Sequence, residues 1–185
     1  SPATVLFALL VFVQFGNEWS LAGWLPMMMI QRLGISPFSA LMLLALYWLC
    51  LVTGRSLAQA LLPRFSHAKL LMSSVVAALF GCLVLGMTNN LFGATVGIAL
   101  AGGGFAMIYP LVVEKVSDRF SYYHPAFFNG LFSLAMTGGM LAPSSIGLMV
   151  KQWGAGAVIL VPLLGTLVVF FLLLLIQLES KLARA

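Results

Sequence analysis

Long stretches without a charged side chain constrain this chain more than any other feature. Residues 33–54, 70–113, 120–150 and 152–178 contain no Asp, Glu, Lys or Arg. An α-helix needs roughly 20 apolar residues to cross the hydrocarbon core of a bilayer. The run over 70–113 is long enough for two crossings, and the Thr-Asn-Asn sequence at 88–90 is typical of the turn between them. The chain is therefore expected to be an integral membrane protein.

The overall composition agrees with this expectation. Hydrophobic residues make up 62% of the 185 residues and charged residues only 7%, too few to cover the surface of a soluble domain. The alternating ten-residue pattern of a membrane β-barrel is absent from the sequence. We predict an all-α membrane protein with six transmembrane helices in a single bundle. The predicted spans cover about residues 3–30, 38–62, 69–88, 91–116, 126–150 and 155–177.

The positions of the basic residues predict how the bundle is oriented. If Ser1 is cytoplasmic, seven of the nine basic residues fall on the inside, and only Arg32 and Lys151 fall outside. The inside set is Arg55, Arg64, Lys69, Lys115, Arg119, Lys181 and Arg184. Because cytoplasmic loops are enriched in Lys and Arg, both chain ends are expected in the cytoplasm. The membrane itself is expected to be a bacterial inner (plasma) membrane. The net charge of +5 thus reflects topology and does not predict a nucleic-acid partner.

Glycine and proline occur at matching places in the two halves of the chain. The first span carries Gly16 and Pro26, and the fourth carries a triple glycine at 102–104 followed by Pro110. Interrupted helices at corresponding positions of two repeats are typical of a binding site at the membrane midplane. We therefore predict a three-plus-three inverted repeat whose first and fourth helices are interrupted beside a cavity.

A carboxylate lies where the middle of the first span is expected. The stretch FGNEWSLAGW, residues 15–24, contains Asn17 and Glu18, and Gln14 lies one helical turn before Glu18. An ionisable group at this depth is costly and usually faces an internal cavity. We predict that Gln14, Asn17 and Glu18 bind a polar solute and that Glu18 also carries a coupling proton. The alternative is that Glu18 pairs with a cation or amide outside this chain and only fixes helix docking.

Four motif-bearing stretches occur in order along the chain. They are FGNEWSLAGW at 15–24, GRSLAQALLPRFSHAKLL at 54–71, GGGFAMIYPLVVEKVSDR at 102–119 and SLAMTGGMLAPSSIGLM at 133–149. Together they resemble the carboxy-terminal half of a major facilitator superfamily transporter. Within that superfamily they are most similar to the fucose permease branch of sugar:proton symporters.

The resemblance implies an architecture and a set of partners. The first and fourth spans would line a central cavity, the second and fifth would flank it, and the third and sixth would brace the outside. An amino-terminal half of six more helices, absent from this chain, would complete the transporter. The solute would be a sugar, the coupling ion a proton or sodium, and no cofactor or metal site is expected.

Two further sets of polar side chains are candidates for the solute site. Tyr109, which precedes Pro110 in the fourth span, offers an aromatic platform and a hydroxyl group that suit a sugar ring. The resemblance also implies that this tyrosine faces the cavity. Asn129, Ser133 and Thr137 recur every four residues and predict a polar stripe on the fifth span. The alternatives are a core aromatic for Tyr109 and helix-helix contacts for the stripe.

Charged side chains at the cytoplasmic ends of the second and fourth spans predict a gate. Such a network can bias a two-state equilibrium even though single exposed pairs contribute little. The alternative is that these charges are solvated and serve only topology. The predicted gate consists of Arg55, Arg64, Glu114, Lys115, Asp118 and Arg119.

An enzyme or a channel would each require particular side chains within the membrane. An intramembrane protease needs a nucleophile and a base in contact, yet the only histidines, His67 and His124, fall in predicted loops and no GxSxG occurs. We therefore predict that the chain is not an enzyme. A channel or a non-transporting membrane subunit is the remaining alternative, and a continuous polar lining would favour it. One acid in an interrupted helix instead favours secondary active transport of a small polar solute by alternating access.

Overall fold

Six long α-helices form the bundle in the part of the chain that the structure describes. The computed structural model describes residues 1–122 and 124–183, so Arg184 of the predicted inside set lies outside the described residues. The helices are α1 (Pro2–Leu33), α2 (Pro37–Leu61), α3 (His67–Met87), α4 (Leu91–Arg119), α5 (Pro125–Trp153) and α6 (Leu160–Leu182), and a 3₁₀ helix (Ala155–Ile159) leads into α6. All six spans have the length and apolar character needed to cross a membrane. The predicted all-α, six-helix fold is confirmed.

Local capping explains where the helices begin. Ser36 precedes Pro37, and its hydroxyl accepts a hydrogen bond from the backbone N–H of Ser39 at 3.2 Å. The Asn90 side chain caps α4 in the same way, accepting from the N–H of Gly93 at 2.7 Å. These side chains satisfy N–H groups that have no partner within the helix.

Several helices extend about one turn beyond their predicted ends. The first, fourth and fifth spans were expected to end near residues 30, 116 and 150, but α1, α4 and α5 continue through Arg32, Arg119 and Lys151, which lie in their last turns. A basic side chain is favourable there because the helix carboxyl end carries partial negative charge.

Helices α1 and α4 occupy the centre of the bundle. They are the most deeply buried of the six. Helix α1 packs against α5, α6 and α2, whereas α4 packs against α3 and α2. Short connections make successive helices run in opposite directions, so both ends of the chain lie at one end of the bundle, here called the terminal end.

The triple glycine does not interrupt α4, so the predicted break in the fourth span is wrong. Helix α4 is continuous from Leu91 to Arg119. Gly104 lies so close to α3 that an added Cβ atom would be 2.7 Å from the carbonyl oxygen of Ser74, whereas a Cβ at Gly103 would meet nothing within 4 Å. A glycine within a helix keeps its backbone hydrogen bonds and removes only the side chain, so at Gly104 it permits close helix packing.

Small residues also bring α1 and α5 together, and α1 is likewise continuous. An added Cβ at Gly16 would be 2.9 Å from the Cβ of Ala142 and 3.3 Å from the carbonyl oxygen of Gly138. A Cβ at Gly138 would in turn overlap the carbonyl oxygen of Phe12. The pair Gly138 and Ala142 therefore acts as a small-xxx-small packing element.

Arg32 ties the end of α1 to the end of α3. Its guanidinium donates hydrogen bonds to the carbonyl oxygens of Leu85 at 2.7 Å, Gly86 at 2.9 Å and Thr88 at 3.1 Å. The last carbonyl groups of a helix have no partner within it, so this cation satisfies α3 from outside. The contact joins two helices at the end of the bundle opposite the terminal end.

Replacing Arg32 with alanine is expected to lower the free energy of unfolding by about 2 kcal/mol. The change removes charge-assisted hydrogen bonds that are each worth about 1.5–3 kcal/mol, reduced here because the arginine is half-buried. Thermal unfolding of the purified protein in detergent measures the loss. Lys151→Ala is the matched control, because Lys151 is exposed near the same end of the bundle. Equal melting temperatures for the two variants would show that the hydrogen bonds from Arg32 to the end of α3 contribute nothing to stability.

Candidate functional site

Glu18 is buried near the middle of α1 and has two side-chain partners. Only 6% of its surface is exposed. The Gln14 side-chain nitrogen Nε2 donates to its Oε1 at 3.2 Å, and Nη2 of Arg55 donates to its Oε2 at 3.4 Å. The spacing of four residues placed Gln14 and Glu18 on one face, and the structure joins them directly. The carboxylate therefore sits in a small polar cluster.

Arg55, a residue of the predicted gate, lies at the candidate site. It reaches Glu18 from within α2 and forms a salt bridge with it. A buried carboxylate is costly without a cation, so pairing offsets its desolvation. One signal was available, since Arg55 lies well inside the predicted span 38–62. The cation postulated from outside this chain is therefore supplied by α2.

A cavity of about 270 Å³ lies beside this ion pair. It is here called the Glu18 cavity, and its lining consists of Phe15, Glu18, Trp19, Trp48, Arg55, Tyr109 and Phe132. Five of these seven side chains are aromatic, and the charged groups lie among them. The cavity thus offers flat apolar faces and hydrogen-bonding groups to one ligand.

The aromatic rings come from four different helices and contact one another edge to face. Tyr109 meets Phe15 with ring centroids 4.7 Å apart, and Trp19 meets Trp48 at 5.7 Å. The structure therefore places Tyr109 at the predicted position in a cavity, close to Glu18. Trp19 was missed, although it lies in the stretch that drew attention to Glu18. The sequence signal was a tryptophan directly after an acid in a predicted span.

Tyr47 fixes the backbone that carries the carboxylate. It is fully buried, and its hydroxyl donates to the carbonyl oxygen of Glu18 at 3.0 Å. Its ring also packs against Trp48 at a centroid distance of 5.8 Å. This contact couples α2 to α1 at the level of the cavity, so Tyr47 positions the site without lining it.

Asn17, predicted to bind the solute together with Gln14 and Glu18, does not lie beside them. Successive residues on an α-helix point about 100° apart, and Asn17 turns toward α5 and α6. It lines a separate cavity of about 290 Å³ together with Gly138 and Gly165. An added Cβ at Gly165 would overlap its side chain, which indicates tight packing against α6.

The polar stripe on α5 divides between two environments. Asn129 lines a cavity of about 250 Å³ next to the Glu18 cavity, and Tyr109 and Phe132 border both. Ser133 is exposed and lines neither of these two cavities. Thr137 donates its hydroxyl to the carbonyl oxygen of Ser133 at 2.9 Å. Only Asn129 of this stripe therefore lies near the candidate site in this half.

The charges at the terminal end do not form the predicted gate between α2 and α4. Arg119 donates to both carboxylate oxygens of Glu179 on α6, at 2.7 and 2.5 Å. Glu114 approaches Nε2 of His67 on α3 at 3.8 Å. Within residues 1–122 and 124–183, neither Arg64 nor Asp118 forms a salt bridge. Helix α4 ends between α3 and α6, so its charges reach those helices before they reach α2.

Comparison with solved structures identifies the same fold in transporters. A mutant of the peptide transporter POT in complex with alafosfalin superposes with a TM-score of 0.81 at 17% sequence identity, over 92% of this chain and 37% of that chain. POT in complex with sulfate superposes with a TM-score of 0.75 at 19% identity, over 90% of this chain and 37% of that chain. The chain thus spans well under half the length of these transporters. Identities this low establish the fold alone.

Sequence comparison gives the family. A search of curated protein sequences found no match to the chain. The family model described as Major Facilitator Superfamily matches residues 7–184. Neither comparison supports the fucose permease branch in particular, and the family model indicates a transporter and not an enzyme. With nearly its whole length matched, the chain belongs to the major facilitator superfamily.

Proposed function

We propose that this chain is one half of a secondary transporter that moves a small polar solute by alternating access. An amino-terminal half of six helices would complete it, in line with the limited share of the POT chains that this chain covers. The observation that carries the proposal is the Glu18–Arg55 ion pair at the wall of an aromatic cavity near mid-membrane. We further propose that both chain ends face the cytoplasm of a bacterial inner membrane.

The chemistry of the cavity supports a sugar or polyol as the solute. Hydroxyl groups of a sugar would hydrogen-bond to Glu18, Arg55 and the Tyr109 hydroxyl. The apolar face of the ring would stack on the aromatic side chains, which provide large contact area and a polar group together. A second candidate is a small peptide, because a zwitterion presents a carboxylate for Arg55 and an ammonium for Glu18.

We assign the coupling between proton binding and solute movement to the same ion pair. A proton that binds Glu18 removes the negative charge and frees Arg55, whose side chain is already 48% exposed. The carboxyl then needs no cation, and the arginine becomes available to the solute or to the other half. Binding of the proton therefore favours one arrangement of the two halves over the other.

Uptake into proteoliposomes tests the solute class and the role of Tyr109. The full-length transporter is assayed with a labelled monosaccharide and a labelled dipeptide, each under an inward proton gradient. We expect sugar uptake, and we expect Tyr109→Ala to raise the KM about tenfold or more because it removes the ring and the hydroxyl group. Tyr109→Phe separates the hydroxyl from the ring. Thr95→Ala, at an exposed position on the same helix, is the control.

Each outcome of this assay has a distinct meaning. Uptake of the dipeptide alone would reject a sugar as the solute but would leave the Glu18 cavity as the proposed binding site. Normal KM in Tyr109→Ala for every transported solute would exclude Tyr109 from the binding site. Transport of neither class above empty liposomes would contradict the proposed solute classes together.

A further inference from the structure

A second open groove lies on the other side of α4 from the Glu18 cavity. It has a volume of about 430 Å³ and runs between α2 and α3, with α4 as its floor. Leucines form much of its walls, including Leu57 and Leu61 on α2 and Leu70 on α3. Leu57 is half exposed, so the groove is open along its side. This α2–α3 groove takes no part in the proposed solute pathway.

Three hydroxyl side chains line the groove: two of them hydrogen-bond within their own helices, and the third, Ser73, is exposed. Thr53 and Ser74 line it, but their hydroxyl groups donate to the carbonyl oxygens of Leu49 and Leu70 on their own helices, at 2.8 and 2.7 Å. Gly103 contributes only backbone, and an added Cβ there would meet nothing within 4 Å. The floor is therefore empty of side chains at this point, and the surface suits a hydrocarbon chain.

The length of the groove matches one leaflet of a bilayer. On α2 its lining runs from Cys50 to Leu61, which is about 16 Å at 1.5 Å per residue. The hydrocarbon core of a bilayer is about 30 Å thick, so one leaflet supplies about half of that. The groove thus extends from the terminal end of the bundle to about the membrane midplane.

Two basic side chains, those of Arg64 and Lys69, lie where the groove meets the terminal end. Arg64 lies in the loop that follows α2, and Lys69 lies in the first turn of α3, one residue before Leu70. Both side chains belong to exposed residues, and neither forms a salt bridge with any residue in 1–122 or 124–183. A basic residue near a membrane surface attracts anionic lipid headgroups.

We propose that the α2–α3 groove is a binding site for an anionic phospholipid. One acyl chain lies in the groove over Gly103, and the phosphate-bearing headgroup contacts Arg64 and Lys69. The apolar walls suit the acyl chain, and the groove is about as long as one leaflet. The cations at its end suit the anionic headgroup. A neutral phospholipid fits the groove equally well but lacks the net charge that the two cations attract.

Native mass spectrometry of the full-length transporter tests this site. The detergent-purified protein is titrated with phosphatidylglycerol or with phosphatidylcholine, and the apparent Kd of the first bound lipid is measured. We expect phosphatidylglycerol to bind more tightly. Replacing both Arg64 and Lys69 with glutamine should weaken its binding by about 5-fold for each basic residue removed. The binding of phosphatidylcholine should remain unchanged.

A variant that fills the groove tests the position of the acyl chain. Gly103→Leu places a side chain in open space, so the fold should survive, whereas binding of both lipids should fall. Gly130→Leu is the matched control, because a Cβ at this α5 glycine also meets nothing within 4 Å. Equal affinity for the two lipids in the wild type would overturn the headgroup assignment. Unchanged lipid binding in Gly103→Leu would overturn the assignment of the acyl chain to the groove. That result is also expected if the amino-terminal half covers the groove.

Discussion

Arg55→Ala is expected to reduce solute uptake by the full-length transporter at least tenfold. Among the residues that the structure describes, the substitution leaves the buried Glu18 carboxylate with Gln14 as its one side-chain partner. Removal of one partner from a buried ion pair costs about 3–5 kcal/mol, and an exposed pair costs about 0–1 kcal/mol. Because Arg55 is half exposed, the loss should lie between these limits. Every 1.4 kcal/mol corresponds to a factor of ten in an equilibrium.

A double variant separates the ion pair from the individual charges. In Glu18→Gln with Arg55→Gln both charges are removed, while hydrogen-bonding groups remain at both positions. Folding and solute binding should recover relative to Arg55→Ala, because no buried charge is left without a partner. Proton coupling should stay lost in the double variant. Strictly additive effects of the two single changes on binding would mean that Glu18 and Arg55 act independently.

Gly104→Ala is expected to lower the free energy of unfolding by about 1–3 kcal/mol, or to prevent folding. A Cβ there would be 2.5 Å from the backbone nitrogen of Ala78 and 2.7 Å from the carbonyl oxygen of Ser74. These are backbone atoms, so α3 and α4 must separate to accommodate one methyl group. Thermal unfolding in detergent gives the size of the loss.

The neighbouring glycine provides the control. Gly103→Ala makes the same chemical change one residue away, where a Cβ meets nothing within 4 Å. Alanine favours a helix over glycine by up to about 1 kcal/mol, so this variant should be at least as stable as the wild type. A similar loss in both variants would show that the glycines matter for helix flexibility and not for close packing.

Features set by local sequence were predicted well. The six helices follow from apolar runs and capping residues, and the contact between Gln14 and Glu18 follows from a spacing of four residues. The carboxyl ends of α1, α4 and α5 were predicted about one turn too short, because a charged residue in the last turn does not end a helix.

Features set by packing between helices were not predictable in the same way. The pairing of Arg55 with Glu18 depends on the rotation of α2 against α1, which periodicity does not specify. The same holds for Asn17, which turns toward α6, and for Arg119, which pairs with Glu179. The break predicted at the triple glycine failed for a related reason. Glycine occurs both in interrupted helices and at close helix contacts, so its presence alone does not distinguish them.

Proton flux is the most direct test of the central claim that Glu18 couples solute movement to protons. Purified full-length transporter is reconstituted with a pH-sensitive dye inside the liposomes, and the transported solute is added outside. The account predicts that the wild type acidifies the interior as solute enters. Glu18→Gln should still exchange solute across the membrane but should give no acidification. Solute-driven acidification of equal size in Glu18→Gln would contradict the account.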